Sequence, residues 1–130
     1  MARPDIPTQL LLQSNSADQI IVNSRDGEKI GYVQSFMINK RSGQALYVVL
    51  SIGGFLGLGK AYYPLPFSLL AYDPVNDSYQ ITIDRRVLEG GPSWANNAPL
   101  FDQGYADRVA SYYDVARENL SLDATGSTSL

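Results

Sequence analysis

The 130-residue chain contains no cysteine and no histidine. Lack of cysteine rules out disulfides, thiolate nucleophiles and Cys-based zinc sites together. Lack of histidine removes the commonest general base and the commonest transition-metal ligand. Any catalysis would fall to carboxylates, lysine, tyrosine or serine, so the expectation is a protein that is not an enzyme, with no catalytic residue, no metal and no cofactor. Charge is sparse as well, at 18% of residues, and no basic stripe is present. Residues 15–92 balance seven basic against seven acidic side chains, while residues 93–130 hold two basic and five acidic, which accounts for the net charge of −3. A phosphate backbone would gain little counterion-release free energy from such a surface, and nucleic acid is not expected as a partner. Long apolar runs are missing too. After Met1-Ala2-Arg3-Pro4-Asp5-Ile6-Pro7 comes only Leu10-Leu11-Leu12, too short for a signal-peptide core or a membrane span. The expected setting is cytoplasmic and bacterial in type.

What the chain does have is a glycine-punctuated run from Ser51 to Phe67. Within it Gly54 to Lys60 satisfies G-x-x-x-x-G-K, the opening of a nucleotide-binding loop. The chemistry of that loop needs a hydroxyl after the lysine to hold magnesium, and this chain has Ala61. It also needs a helix whose first N–H groups face the phosphates. Pro64 and Pro66 follow instead, fixing φ and removing donors, so no helix can propagate from Lys60. The run reads better as strand, loop, strand. Ala45 to Ile52 is rich in β-branched and aromatic residues and predicts a largely buried strand. Glycines 53, 54, 57 and 59 permit sharp bending, and Lys60 to Leu65 returns as a strand ended by Pro66. Phe55, Leu56 and Leu58 sit between those glycines. Three apolar side chains in a loop need cover, either as a plug in one end of a small barrel or as a contact offered to a partner.

The rest of the chain is punctuated in the same manner. An N-terminal arm is expected over residues 1–14, with Gln19 to Asn23 as a first strand. Asp26-Gly27 is a hairpin signal, and Lys29 to Ile38 alternates as a second strand. Asn39 to Gln44 reads as a turn with Gly43 at positive φ. Pro66 to Tyr72 is short and apolar, a helical turn or a bend. Asp73 to Ser78 is turn-forming throughout, and Tyr79, Ile81 and Ile83 fall on one face of a strand. Asp84 predicts the N-cap of a single turn, Arg85 to Glu89, stopped by Gly90-Gly91-Pro92. Asp102 to Glu118 has helical spacing, with Tyr105, Val109, Tyr112 and Ala116 on one stripe. The tail over 121–130 reads as disordered. Strands at short, regular spacing with no long helix until the end predict an all-β fold: a six-stranded antiparallel β-barrel over residues 15–92, and an extension over 93–120 with a short C-terminal helix.

Several of these segments, in order, carry a resemblance. They are Gly27-Glu28-Lys29-Ile30-Gly31, Met37 to Gly43, Val49 to Gly59 and Tyr63 to Leu70, with Pro92-Ser93-Trp94 as the exit. Over residues 15–92 the chain resembles the PRC-barrel family, named for the cytoplasmic domain of the photosynthetic reaction-centre H subunit. The resemblance implies a six-stranded antiparallel barrel and a role in protein assembly. One branch of the family caps membrane-embedded subunits, and another is a ribosome-maturation factor whose barrel contacts a ribosomal protein. This chain has neither the transmembrane helix of the first nor the RNA-processing domain of the second, so neither specific role carries over.

Other constellations have plainer readings. Asp26 with Glu28, and Asp73 with Asp77, are turn carboxylates rather than an acid–base pair or a calcium loop, which would need six or more oxygens. Lys60 beside Ala61 lacks the neighbours that would make it a low-pKa base. The nine tyrosines read as barrel wall, since no basic residues are interleaved for base stacking. Trp94 follows a Gly-Gly-Pro break and either pins the C-terminal segment to the barrel or anchors an interface. The expected function is a non-catalytic adaptor that contacts a protein partner or a second copy of itself as a homodimer. Phe55, Leu56, Leu58 and Trp94 are its candidate contacts. A small-molecule site in the barrel is the alternative, weakened because so small a barrel fills with side chains.

Overall fold

Turn chemistry sets the frame of this fold. The computed structural model describes residues 20–53 and 59–114. The expected arm over 1–14 and the tail over 121–130 lie outside them, as do Phe55, Leu56 and Leu58. Among the described residues the strands are β1 (Ile21–Asn23), β2 (Lys29–Ile38), β3 (Ala45–Ile52), β4 (Ala61–Pro66), β5 (Leu70–Asp73) and β6 (Ser78–Ile81). Two helices follow, α1 (Arg85–Glu89) and α2 (Gln103–Tyr112). The β1–β2 turn closes on Asp26, whose carboxylate accepts from the Ser24 hydroxyl and the Glu28 N–H, with Gly27 at φ +90°. The β2–β3 turn closes on Asn39, whose side-chain oxygen accepts from the N–H groups of Arg41 and Ser42, with Gly43 at φ +76°. The β5–β6 turn closes on Asp73, which accepts from Val75 N–H and Asn76 N–H before Asp77 at φ +51°. Side chains that mimic backbone turns thus close three of the four hairpins.

The strands form one six-stranded sheet in the order β4-β3-β2-β1-β6-β5, curled as a half-barrel. The expected all-antiparallel, all-β barrel needs correcting here. β1 pairs with β6 in parallel, Val22 against Tyr79 and Asn23 against Gln80, so the sheet is mixed, and the fold is mostly β with helices. The reason is directional. β4 runs opposite to β1, the chain continues through a short helical turn into β5 in that same direction, and the β5–β6 hairpin then reverses it, so β6 arrives running parallel to β1. Phe67–Leu69 forms the expected short helical turn, but Leu70 resumes as strand β5 within the stretch expected to be only a turn or bend.

The core lies where the strand pattern places it. Val22, Val48, Leu50, Leu65, Ile81 and Leu88 have no exposed surface. β3 is buried on both faces from Tyr47 to Leu50, as its continuous apolar run predicts. Gly31 opposes Val22, and a Cβ there would stand 2.2 Å from the Ser51 carbonyl oxygen, so β2 and β3 can approach only because that atom is missing.

Both helices start on expected caps. Asp84 accepts from Arg86 N–H, and Asp102 accepts from Tyr105 N–H. Helix α2 buries Tyr105, Ala106, Val109, Ala110 and Tyr113. Tyr112, expected on that stripe, is exposed and its hydroxyl donates to the Val87 carbonyl. Two adjacent rows of small and large residues make the buried face, so Tyr113 falls inside and Tyr112 outside. The expected helical residues 115–118 lie outside the described chain.

Candidate functional site

The turn carboxylates are engaged in structure. Asp73 is held below the usual carboxylate range, first by the Asn76 side-chain amide and then by backbone N–H groups. Asp26 is lowered in the same sense, first by the Ser24 hydroxyl. Both are turn carboxylates, as their spacing suggested. Among the described residues no cluster of three or more His, Cys, Asp or Glu could hold a metal ion. Lys60 is exposed at the foot of β4. Burial pushes the Tyr47 phenol up to about 12, and its hydroxyl donates to the Ala106 carbonyl at 3.1 Å. Tyr113 is raised as well, by burial first, and its hydroxyl has no partner among the described residues.

Trp94 is the one sequence-chosen contact residue that the structure describes, and it sits inside a clasp. Its backbone exchanges both hydrogen bonds with Tyr62 on β4, at 2.8 and 3.0 Å. Its ring stacks on Tyr62 at 6.1 Å and meets Tyr105 of α2 edge-on at 6.5 Å. Tyr105 in turn packs edge-on against Phe101, and Phe101 against Tyr47. This chain of rings fastens the C-terminal helix to the sheet within one molecule. Such contacts add to burial by about 0.5–1.5 kcal/mol each. The pinning reading of Trp94 therefore has its partners, and the residue is only partly exposed.

The clasp explains the prolines of β4. Because Tyr62 turns its N–H and C=O away from β3, the two-residue alternation of an antiparallel ladder turns Pro64 and Pro66 outward too. Both are fully buried. A residue with an N–H at either position would bury an unpaired donor under the C-terminal extension, and proline has none to bury.

At the far edge β5 is arranged otherwise. Thr82 N–H donates to the Leu69 carbonyl, so Leu70 and Tyr72 turn their backbone groups outward. Leu70 N–H is taken by the Phe67 carbonyl, and Pro74 follows the strand. That leaves Tyr72 as the outward-facing residue of a short edge. Its ring ends a row of aromatic contacts, Phe36–Phe67–Tyr79–Tyr72, at 5.6, 5.8 and 5.5 Å.

Large apolar side chains stay in solvent at several places on the sheet, its turns and the helices. Ile38, Tyr72, Val75, Val87, Leu100 and Tyr112 are each at least 40% exposed. Sequence reasoning did not select any of them as contacts; Ile38 and Val75 are single apolar residues beside turn signals, and that placement was the available clue. The two ends of the sheet also differ in charge. Where β1 ends, Arg25 pairs with Asp84 at 3.4 Å, and Arg85 with Glu28 at 3.5 Å and Glu89 at 3.0 Å. Lys40 and Arg41, at the opposite end, are in no ion pair among the described residues.

Among known proteins, the family model of the PRC-barrel domain matches residues 17–88, which run from just before β1 through most of α1. A search of the curated proteins finds no match. No helix among the described residues is long and apolar enough to cross a membrane.

Proposed function

The chain belongs to the PRC-barrel family, and from that premise we propose that it is a non-catalytic assembly module, an adaptor that joins a protein partner or a second copy of itself. The observation that carries this reading is the set of large apolar side chains left in solvent on a sheet whose edges are already blunted. Exposed apolar groups beside rigid strands and turns are the material of protein interfaces. Val48, Leu50, Leu65, Ile81 and Leu88 are buried in the interior, which favours this reading over a small-molecule site there. The apolar residues of the glycine loop, Phe55 and Leu58, remain proposed contacts beside Trp94.

The test is affinity purification of the full chain from native extract, with intact-mass analysis of whatever co-elutes. A stoichiometric partner or second copy is expected, and the Phe55→Ser, Leu58→Ser double variant is expected to lose it while keeping its circular dichroism spectrum. An unchanged complex in that variant removes the glycine loop from the interface. Elution of the wild-type chain alone and monomeric removes the assembly reading.

A further inference from the structure

Beyond the assembly role, we infer that the segment just before β1 is itself part of the sheet, continuing β1 backwards to Ser16 along an open stretch of β2. The observation is a mismatch of lengths. β1 pairs with β2 over Lys29 to Tyr32, and one further bond runs from Val33 N–H to the Ile20 carbonyl. β2 goes on to Ile38, with β3 on one side and no described strand on the other.

That open side carries backbone groups in need of partners. Tyr62 gives both of its backbone bonds to Trp94, so across β3 the alternation turns Ser51, Val49 and Tyr47 toward β2. Their partners there are Tyr32, Ser35 and Met37. Phe36 lies between two residues bonded to β3, and Ile38 lies between Met37 and Asn39, whose N–H bonds to Gln44. Phe36 and Ile38 therefore turn their N–H and C=O groups the other way, where no described residue takes them. Ile38 also leaves 52% of its surface in solvent. Such a stretch is an unpaired edge within the sheet.

The chain itself leads into it. Because β1 is antiparallel to β2, stepping back from Ile20 advances along β2 toward Ile38. The phase of the two strands agrees as well. On β1 the residues that turn toward β2 are the even ones, Ile20 and Val22, so Asp18 and Ser16 come next. On β2 the phase changes between Val33 and Ser35, where Gln34 is an extra residue. With that residue inserted, Asp18 stands opposite Phe36 and Ser16 opposite Ile38, both as hydrogen-bonded pairs. Without it Phe36 would meet Ala17, whose backbone groups would face away. Asn15, Ser16 and Asp18 have little strand propensity, so the ladder bonds rather than side-chain packing hold them there.

The experiment is solution NMR on the full chain, isotope-labelled and without substitutions. The Phe36 and Ile38 amides are expected to exchange with solvent at least about 100-fold more slowly than in an unstructured chain. Ala17 and Met37 form a non-hydrogen-bonded pair in this register, so a nuclear Overhauser contact between their α-protons is expected. Free exchange at both amides overturns the inference, as does protection with no contact between residues 16–19 and β2. A sample mixing labelled with unlabelled chains tests the other occupant. A contact found only between unlike chains means that a second copy fills the stretch, which overturns the inference and leaves the assembly role in place. A chain that purifies alone and monomeric yet shows both signals supports the inference while removing the assembly role.

Discussion

The two edges of the sheet solve one problem by opposite means. An edge strand offers unpaired N–H and C=O groups, and in a half-barrel both edges are open. On β4 the chain covers the edge with its own C-terminal extension. Trp94 takes the hydrogen bonds of Tyr62, and Pro64 and Pro66 have no donors to bury. On β5 nothing among the described residues lies over the edge. A 3-10 turn uses one donor and Pro74 ends the strand, leaving Tyr72 in solvent. The covered edge gains apolar burial and depends on residues distant in sequence; the bare edge depends only on neighbours. It follows that the first should be costly to disturb and the second cheap, and that the second is the side free to meet another molecule.

The difference should be widest in alkali. Tyr47, under α2, ionises in the folded protein only near pH 12, against an unfolded value of about 10. The unfolded chain therefore loses a proton that the native one keeps, and stability falls as pH rises from about 10 through 12. Tyr113, also raised by burial, adds to that loss. Tyr72 is likewise pushed up to about 12, but first by its hydrogen bond to Asp77 rather than by burial. Linkage depends on the shift and not on its cause, so Tyr72 also contributes to the alkaline loss. Phenolate absorbance followed with circular dichroism should show Asp77→Asn lowering one tyrosine titration and making the alkaline loss of stability shallower, while the Tyr47 titration stays in place. A Tyr47 titration that moves with Asp77→Asn would erase the distinction between the edges.

Next in size is Trp94→Ala. Removing a half-buried ring that holds Tyr62 and Tyr105 is expected to cost about 2–4 kcal/mol in urea unfolding. Tyr72→Ala, on the bare edge, is expected to leave the urea midpoint nearly in place. Equal losses would break the comparison. Pro64→Val keeps much of the volume yet adds a donor buried without an acceptor, for an expected cost of about 1–3 kcal/mol. The smallest effect is Asp73→Ala, where losing the turn bonds next to β5 is expected to lower the urea midpoint only slightly. Because Asp73 is lowered in the folded protein, its contribution is present above the unfolded value of about 3.9 and fades as pH falls below it. A melting series through that range should find the wild type converging on the variant.

Much of this frame was legible in the chain, for local reasons. Gly27, Gly43, Asp84 and Asp102 act within a few residues of themselves, and each turn or cap appears where its chemistry placed it. Gly31 belongs to a motif recognised by resemblance, and the approach of Ser51 supplies its physical reason. Pro64 and Pro66, two residues apart, argue against a helix, and the same spacing marks an edge strand that turns the backbone of both outward. What stayed hidden was non-local. Alternation shows which residues share a face, not which strand lies alongside, so the parallel β1–β6 pair had no signature. Trp94 finds Tyr62 and Tyr105 across 32 and 11 residues, and no spacing rule joins them. The exposed apolar residues were visible as letters, but only the fold shows which of them remain in solvent.

β1 is three residues long, yet it alone joins the β2-β3-β4 meander to the β5–β6 hairpin within the sheet. Each of those two units is local and can form early, whereas Val22 must find Tyr79 across 57 residues of chain. Closing so long a loop costs entropy before any contact repays it, and such pairings slow folding. The sheet is therefore two quick pieces joined by a slow seam. In pulse-labelled hydrogen exchange, amides of the β3–β4 ladder should gain protection before those that bridge β1 and β6, which makes that short strand the place where the fold is completed.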